Sequence, residues 1–304
     1  MQKHNRTWLL ILMAAATLGL LLFVVYLYTG YTRTGQSAAS PTFDSQRAYQ
    51  DVQYQTGLGP RTPGSQAHAD AAAWIQTQLE DNGWTVDVQD TQAMGLPIHN
   101  ITGKRGSGSP WIILGAHYDT RFVASEDPDP ALRDQPIDGA NDGASGVAVL
   151  LELARVIPQD LDKQVWLAFF DTEDQGSIEG WDWILGSRAY AEALTGQPDA
   201  VIVLDMIGDA DLNIYMERNS DPELMGQIWD QAAALGYQSN FIPEYKYQML
   251  DDHLPFAQKG IPALDVIDFD YPYWHTMADT ADKVSPHSLD AVGETVLSWL
   301  LTKP

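Results

Sequence analysis

Four short apolar runs, each followed closely by acidic or histidine side chains, constrain this fold most: Trp111–His117, Val165–Asp171, Ala200–Gly208 and Ile261–Ile267. Apolar runs of this length, bounded by loop residues, are typical of strands buried on both faces of a parallel sheet. Segments with helical spacing stand between them, among them GASGVAVLLELARVI and DPELMGQIWDQAAALG. The pattern predicts a single α/β domain around a mostly parallel sheet.

The ends of these runs carry the side chains that suggest chemistry. In chain order these residues are His117 and Asp119, then Asp171, Glu173 and Asp174, then Asp205, and finally Trp274 and His275. Because ligands of open α/β sheets bind at the carboxyl ends of the strands, we expect these side chains to lie close together. Clustered carboxylates repel one another, and a bound divalent cation would neutralise that repulsion.

Imidazole and carboxylate ligands without a thiolate suit zinc in a catalytic site, with one position open for water or substrate. The loop PIDGANDGASG adds a further acid, Asp142. Taken singly, these residues have simpler interpretations. Asp142 could cap the following helix, Asp171 could bond to nearby backbone, and His117 or His275 could be structural. The set as a whole favours a metal site.

Composition excludes several classes of function. The formal net charge is −24, from 41 acids against 17 bases, so the surface repels phosphate backbones and nucleic-acid binding is not expected. The absence of cysteine excludes disulfides, thiolate nucleophiles and Cys-ligated zinc. The sequence contains neither the Gly-x-Ser-x-Gly of serine hydrolases nor the His-Glu-x-x-His of single-helix zincins.

The N-terminal segment Trp8–Tyr28 is uncharged and, at about 20 residues, long enough to cross a bilayer as a helix. Lys3 and Arg6 precede it, which predicts a cytoplasmic N-terminus and a single-pass membrane protein with an extracytoplasmic domain. The alternative is a cleaved signal peptide and a secreted protein, for which Ser37-Ala38-Ala39 offers a cleavage site. The expected divisions are a cytoplasmic stub at 1–7, an anchor at 8–28, a linker at 29–44 and a catalytic domain at 45–304.

Several motifs then occur in a familiar order: HYD from His117, GANDGASGVAVLLELAR, FFDTEDQG, VLDMIGD, DDHLPF with KGIPAL, and WHTMADT. Together, from roughly Asp44 to Leu301, they resemble the zinc-exopeptidase family, which contains aminopeptidases and animal-type glutaminyl-peptide cyclotransferases. The resemblance implies a three-layer α/β/α domain around a mostly parallel mixed sheet, zinc as the cofactor, and peptide or protein N-termini as substrates.

The resemblance also implies roles for particular residues. Asp142, Asp174 and His275 match the metal ligands of the family, although many members have Glu in place of Asp174. Glu173 matches the general acid/base. Asp119 matches a residue that orients His117 or the nearby ligands.

The two branches of the family use these residues differently. An aminopeptidase would hold two zincs that share Asp142, the second being bound by His117 and Asp205, and would activate a water that hydrolyses the peptide. A cyclotransferase needs one zinc, and would convert an N-terminal glutamine to pyroglutamate with release of ammonia, using Glu173, Asp205 and Asp251 as catalytic residues.

Local features favour the cyclotransferase. Asp251 stands where aminopeptidases commonly have Ser, and Trp274 directly precedes the last ligand. Trp181 and Tyr271 are expected to complete the substrate pocket. The segment SIEGWDWILGSR also offers Trp183, and the alignment does not choose between its two tryptophans; core packing is the simpler interpretation for Trp183 or Trp299. The non-enzyme alternative, an inactive receptor-like ectodomain, would be expected to lack at least one of the ligands or the general base, and none is missing.

Overall fold

The computed structural model describes residues 42–302, together with Trp8, Met13, residues 17–21 and Phe23. The chain divides into two units, Met1–Pro41 and Thr42–Pro304, and the second contains the sheet and the helices that pack on it. The predicted stub at 1–7, most of the predicted anchor and the linker up to residue 41 lie outside the described residues. Among the residues that are described, no helix combines the length and apolarity needed to cross a membrane.

Helices and strands alternate along most of residues 42–302. The helices are α1 (Ser45–Gly57), α2 (Gln66–Asp81), α3 (Ala144–Val156), α4 (Leu185–Ala193), α5 (Pro222–Leu235), α6 (Leu254–Gln258) and α7 (Pro286–Thr302), with a 3-10 turn at Ala281–Lys283. The strands are β1 (Thr85–Ala93), β2 (Leu96–Arg105), β3 (Trp111–His117), β4 (Gln164–Phe170), β5 (Ala200–Asp205), β6 (Ile214–Met216), β7 (Phe241–Tyr245) and β8 (Ala263–Ile267).

The main sheet has the strand order β1-β2-β4-β3-β5-β8. Strands β3, β4, β5 and β8 run parallel, and they are the four apolar runs identified in the sequence. The hairpin β1–β2 joins this core antiparallel to β4. The prediction of an α/β domain around a mostly parallel sheet is therefore confirmed, and a separate pair, β6 and β7, lies outside the main sheet.

Alternate residues of each central strand enter different hydrophobic cores, one on each face of the sheet. On β3, Ile112 and Leu114 belong to the larger core, which also receives apolar side chains from α1, α2, α3, α5 and α7. Ile113 points to the other face, where Tyr190 of α4 and Phe256 of α6 cover the sheet. The strands are thus buried on both sides, which explains their nearly continuous apolar sequences.

The parallel strands bring their carboxyl ends to one edge of the sheet. His117 is the last residue of β3, Asp205 is the last residue of β5, and β4 ends immediately before Asp171. Three non-glycine residues at this edge have positive φ angles: Thr172 at 54°, Met206 at 45° and His275 at 54°. Such conformations cost about 1–3 kcal/mol each and tend to concentrate at functional sites.

Candidate metal centre

Two groups of buried side chains at this edge are arranged to hold metal ions. One consists of His117, Asp142 and Asp205, and the other of Asp142, Asp174 and His275. In each group the potential ligand atoms lie within 4.8 Å of one another. All five residues were predicted from the sequence as metal ligands or second-metal candidates, and the fold brings all five together.

Asp142 belongs to both groups and presents a different oxygen to each. Its Oδ1 lies 3.2 Å from Nε2 of His117, and its Oδ2 lies 3.6 Å from Nε2 of His275. Nε2 of His117 is also 3.2 Å from Oδ1 of Asp205, and Nε2 of His275 is 2.8 Å from Oδ1 of Asp174. Asp142 is therefore placed as a carboxylate able to bridge two cations.

The donor set fits zinc. Oδ2 of Asp142 and Oδ2 of Asp174 are buried without a hydrogen-bond partner, a costly state for a carboxylate oxygen unless a cation lies beside it. Imidazole nitrogens and carboxylate oxygens, with no thiolate in the chain, are ligands that catalytic zinc accepts. Asp174 reaches His275 despite being one methylene shorter than Glu.

Helix capping does not explain Asp142. Helix α3 begins at Ala144 with Gly143 as its N-cap, and no side chain in the described part of the chain makes a capping hydrogen bond to it. Gly143 has φ of +98°, and a Cβ atom there would lie 2.8 Å from the Asp119 carbonyl oxygen and 3.1 Å from Cε1 of His117. Glycine at this position allows the Asp142 turn to approach the end of β3 closely.

Asp279 fixes the backbone of the turn that carries Asp142. Its carboxylate accepts hydrogen bonds from the N–H groups of Asn141, at 2.9 Å, and Asp142, at 3.2 Å. The hydroxyl of Tyr271 donates to the same carboxylate at 2.6 Å. Tyr271, predicted to line the substrate pocket, therefore supports the turn that carries Asp142, and it is not among the residues that line the 180 Å³ cavity described below. Asp279 received no role from the sequence, although it stands in the WHTMADT motif that carried the resemblance.

Asp119 positions the turn after β4. Its carboxylate accepts hydrogen bonds from the N–H of Glu173 at 3.0 Å, the N–H of Asp174 at 3.4 Å and Nε2 of Gln175 at 3.0 Å. Its Oδ1 also lies 3.5 Å from Nδ1 of His117. Asp119 thus contacts both His117 and the chain segment that carries Asp174, as the resemblance implied.

Asp171 has a structural role. Its carboxylate accepts a hydrogen bond from the N–H of His99 at 2.8 Å and lies 2.8 Å from Nε2 of His68. Of the carboxylates in the FFDTEDQG motif, only Glu173 and Asp174 face the metal groups. Asp171 therefore supports neighbouring parts of the fold, whereas Glu173 and Asp174 face the metal groups.

A cavity of about 180 Å³ opens beside the metal groups. Its acidic lining, apart from the predicted ligands Asp142 and Asp174, consists of Glu173, Asp205 and Asp251. Its apolar lining consists of Trp183, Met206, Met249, Leu250, Ile267, Phe269 and Trp274. Burial, reinforced by the charges of neighbouring acids such as Asp174 and Asp251, raises the pKa of Glu173 well above its ordinary value.

The two tryptophans of the cavity stand against the ring of His275. Trp274 stacks on it with 3.8 Å between ring centroids, and Trp183 lies nearly parallel at 6.0 Å. Gly176 makes room for Trp183, because a Cβ atom there would lie 2.0 Å from the indole. Trp181, which the sequence assigned to the pocket, packs on Phe122 and lines a different cavity. Of the two tryptophans that the segment offers, Trp183 therefore lines the cavity beside the metal groups and Trp181 does not.

Asp251 connects the cavity to a second buried group of ionisable side chains. Asp251, His253 and Asp265 have potential ligand atoms within 4.8 Å of one another. The imidazole of His253 lies between Oε2 of Glu217, at 3.3 Å, and Oδ2 of Asp265, at 3.7 Å. Burial and the charge of Asp205 raise the pKa of Asp251 to about 7.

Arg121 is a residue of the site that received no role from the sequence. Its buried guanidinium donates to the carbonyl of Asp174 at 3.0 Å, lies 3.5 Å from the Asp174 carboxylate, and is 5.0 Å from the ring centroid of Trp183. Its Nε donates to Oγ of Ser125 at 3.3 Å, and that oxygen lies 3.4 Å from Nδ1 of His275. The guanidinium of Arg121 therefore contacts Asp174 and Trp183 directly and His275 through Ser125.

We expect Arg121→Gln to weaken zinc binding by roughly 10–100-fold, the range for residues that orient ligands, while the protein remains folded. Arg121→Lys should recover only part of this loss, because an ammonium cannot make the same forked contacts. Zinc competition with a chelator measures the affinity. The matched control is Arg188→Gln, which removes an exposed pair with Asp182. Unchanged zinc affinity in Arg121→Gln would contradict the assigned role.

The pKa shifts also predict how the metal-free protein responds to pH. Burial and a neighbouring carboxylate raise the pKa of Asp252 to about 8 and that of Asp279 to about 6, in addition to the shift of Asp251. An acid with a raised pKa binds its proton more tightly in the folded state, so the free energy of unfolding falls as the pH rises. Groups with depressed pKa values, such as Glu217 at about 2, change the free energy of unfolding only at lower pH.

We therefore expect the Tm of the chelated protein to fall by at least about 4 °C between pH 5.5 and pH 8. Added zinc should reduce this fall, because the cation neutralises the clustered carboxylates. Thermal scans at both pH values, with chelator and with zinc, measure the effect. A chelated protein whose Tm stays level or rises over this range would contradict it.

Comparisons with known proteins agree with this geometry. The model of peptidase family M28 matches residues 98–300. The solved structure of a glutaminyl cyclase from Porphyromonas gingivalis is 35% identical with a TM-score of 0.83, covering 87% of this chain and 100% of that chain. A leucine aminopeptidase precursor from Bacteroides thetaiotaomicron is 33% identical with a TM-score of 0.83, covering 87% of this chain and 99% of that chain. A glutaminyl-peptide cyclotransferase of Drosophila melanogaster is 26% identical over 273 residues, 77% of this chain and 74% of the relative.

Proposed function

The chain belongs to peptidase family M28, and we propose that it is a zinc-dependent glutaminyl-peptide cyclotransferase. It would convert the N-terminal glutamine of a peptide or protein to pyroglutamate and release ammonia. The observation that carries this proposal is the lining of the 180 Å³ cavity, where Glu173, Asp205 and Asp251 stand together beside Asp142, Asp174 and His275.

The cavity suits one small residue with a polar end. Its volume of about 180 Å³ lies below the roughly 300 Å³ at which typical ligand pockets begin. Trp183, Trp274 and Phe269 supply apolar walls for the methylene groups of a glutamine side chain. The acids accept hydrogens from its amide and from the α-amine. A site that encloses the first residue in this way excludes water from the reacting atoms.

The reaction needs one proton to move between two nitrogens of the substrate. The α-amine attacks the side-chain amide carbon, the new C–N bond closes the ring, and the bond to the departing nitrogen breaks. Glu173, which lines the cavity, would take the proton from the attacking amine and deliver it to the departing nitrogen, which leaves as ammonia. Its raised pKa suits this exchange, because burial makes the carboxyl hold a proton more readily than an ordinary glutamate does.

Asp205 and Asp251 would stabilise the departing nitrogen. Both line the cavity and both have raised pKa values, caused first by burial. Their oxygens can accept the hydrogens of a nitrogen that gains positive character as it leaves. Zinc held by Asp142, Asp174 and His275 would supply a Lewis acid that polarises the amide carbonyl.

A zinc aminopeptidase is the second candidate. The observation that favours it is that the two carboxylate oxygens of Asp142 face different groups of potential ligands. His117 and Asp205 complete a second ligand group that a two-metal peptidase would use. Zinc titration separates the candidates, since a cyclotransferase should reach full activity with one equivalent and the peptidase with two. An inactive receptor-like ectodomain is disfavoured, because every ligand and the general base are present and assembled.

Incubation of the zinc-loaded protein with a Gln-initiated and a Leu-initiated peptide tests the proposal. We expect the first peptide to lose ammonia and become resistant to N-terminal sequencing, and the second to remain intact. Free leucine without any pyroglutamyl product would instead identify the aminopeptidase. An unchanged pair of peptides, with zinc bound, would support the non-enzyme alternative.

We also propose that residues 8–28 anchor the protein in a membrane and that the catalytic domain acts outside the cytoplasm. The support is the uncharged sequence of that segment and the preceding Lys3 and Arg6. Cell fractionation with a tag at each end tests the proposal. Recovery of the full-length chain from the soluble cytoplasm would overturn it.

A further inference from the structure

A second and larger cavity, of about 970 Å³, opens where strand β1 ends and strand β2 begins. Strand β2 runs antiparallel to β4, with Ile101 opposite Phe169, so the start of β2 lies beside the end of β4. The cavity therefore opens at the same edge of the sheet as the catalytic cavity. We call it the hairpin cleft. The proposed cyclisation chemistry gives this cleft no role.

The chain from Asp171 to Trp183 separates the hairpin cleft from the catalytic cavity. Asp171 and Trp181 line the cleft, whereas Glu173 and Trp183 line the catalytic cavity. Two residues of chain span at most about 7 Å, so Asp171 and Glu173 mark walls that are close neighbours. A peptide whose first residue fills the catalytic cavity can reach the cleft with its next few residues.

The lining of the cleft is suited to a cation. Its charged or ionisable residues are His68, Asp90, His99 and Asp171, and no lysine or arginine is among the described residues that line it. The carboxylate of Asp171 is buried and engaged by His68 and His99. Asp90 also has a contact, 2.6 Å from Nδ1 of His99, but 79% of its side chain is exposed, so a ligand can reach it.

The indole of Trp181 adds an aromatic surface to the same cleft. Its ring packs against Phe122, which holds it in place, and its side chain is only partly buried. An exposed carboxylate and an aromatic ring that line one cavity are the usual partners of a lysine or arginine side chain. The net charge of −24 makes the approach of a basic peptide favourable as well.

We propose that the hairpin cleft is a subsite for a basic side chain at the third or fourth residue of the substrate. This rests on the proposed action at peptide N-termini. An extended chain advances about 3.5 Å per residue, so these positions lie roughly 7–11 Å beyond the first residue, next to the dividing wall. The enzyme would then select peptides by charge as well as by their N-terminal residue.

Matched peptides test the subsite. For the zinc-loaded protein at low salt, we expect kcat/KM for Gln-Ala-Lys-Ala to exceed that for Gln-Ala-Glu-Ala by about fivefold, the size of one exposed charge pair. The difference should appear in KM. A second pair of peptides, with Lys or Glu at the fourth residue, is compared in the same way. Asp90→Asn should abolish the preference, and Asp90→Lys should reverse it.

The control is Asp87→Asn. Asp87 lies on the same strand with its side chain 65% exposed, but it pairs with Lys104 and lines another cavity. This variant should keep the full preference, which separates a local effect of Asp90 from general attraction to an acidic protein. Equal loss of the preference in both variants would overturn the subsite. So would rapid cyclisation of both peptides without discrimination at either position.

Fluorescence anisotropy of the same peptides, labelled at the C-terminus, reports binding independently of turnover. Tighter binding of the Lys peptide that depends on Asp90, without cyclisation, would support the cleft and overturn the proposed function. Cyclisation of both peptides with equal binding would support the proposed function and overturn the subsite.

Discussion

Glu173→Gln should reduce turnover by about 10²-fold or more and leave the fold and the bound zinc in place. Glutamine has the same shape but cannot exchange the proton between the two substrate nitrogens. The backbone N–H of residue 173 would still donate to Asp119, so the turn that carries Asp174 should keep its position. Steady-state kinetics with a Gln-initiated peptide and metal analysis of the same sample measure both effects.

Glu179→Gln is the matched control for this variant. Glu179 lies in the segment that follows the same turn, but its side chain is exposed and does not line the cavity. Its replacement should leave turnover within about twofold. Loss of zinc from Glu173→Gln would make Glu173 a ligand, and the roles of Glu173 and Asp174 would be reversed.

Asp251→Ser should collapse pyroglutamate formation, by roughly 10²–10³-fold for one lost stabilising group in a buried site. In an aminopeptidase the same change should be tolerated, because this position contacts no reacting atom of a water-driven hydrolysis. The zinc content should not change, since Asp251 belongs to neither ligand group that contains Asp142. Kinetics, metal analysis and a thermal scan of one preparation separate these effects.

The stability of this variant is predicted as well. Because the pKa of Asp251 is raised to about 7, its ionised form is unfavourable in the folded protein. Serine removes that cost, so the Tm at pH 8 should be unchanged or higher. Asp230→Ser, at an exposed position of α5, is the control for the substitution itself. A variant that cyclises Gln-peptides as fast as the parent would remove Asp251 from the mechanism.

The sequence predicted the central sheet because its signal is local. The run WIILGA is apolar throughout, and both of its faces are buried in the structure. It leads directly into His117, so the position of a predicted ligand follows from the position of the strand. Helix α3 was predicted for the same reason, since nearly all of its residues are buried.

Other elements carried weaker signals. Helix α1 buries Asp51 and Gln55 along with Ala48 and Val52, so its polar and apolar residues do not separate by face. Both side chains have partners that are distant in sequence. The side chain of Gln55 donates to the carbonyl of Ala144 across 89 positions of sequence, and Arg155 pairs with Asp51. Residue spacing alone cannot reveal such contacts.

The supporting residues of the site were hidden for a related reason. Asp279 and Arg121 act through hydrogen bonds to chain segments 53 to 138 residues away. The choice between Trp181 and Trp183 for the cavity was open for a different reason. Two indoles separated by one residue in a loop have no periodicity to assign them. Gly176, where a Cβ atom would collide with the indole of Trp183, was the available local clue.

The most direct measurement counts products. Zinc-loaded protein is incubated with a Gln-initiated peptide, and ammonia and pyroglutamyl peptide are quantified in the same reaction, with a chelated sample alongside. We predict one ammonia for each pyroglutamyl peptide formed, no free amino acids, and loss of both products on chelation that zinc restores. Release of free glutamine in place of ammonia, or full activity after the metal has been removed, would contradict the account.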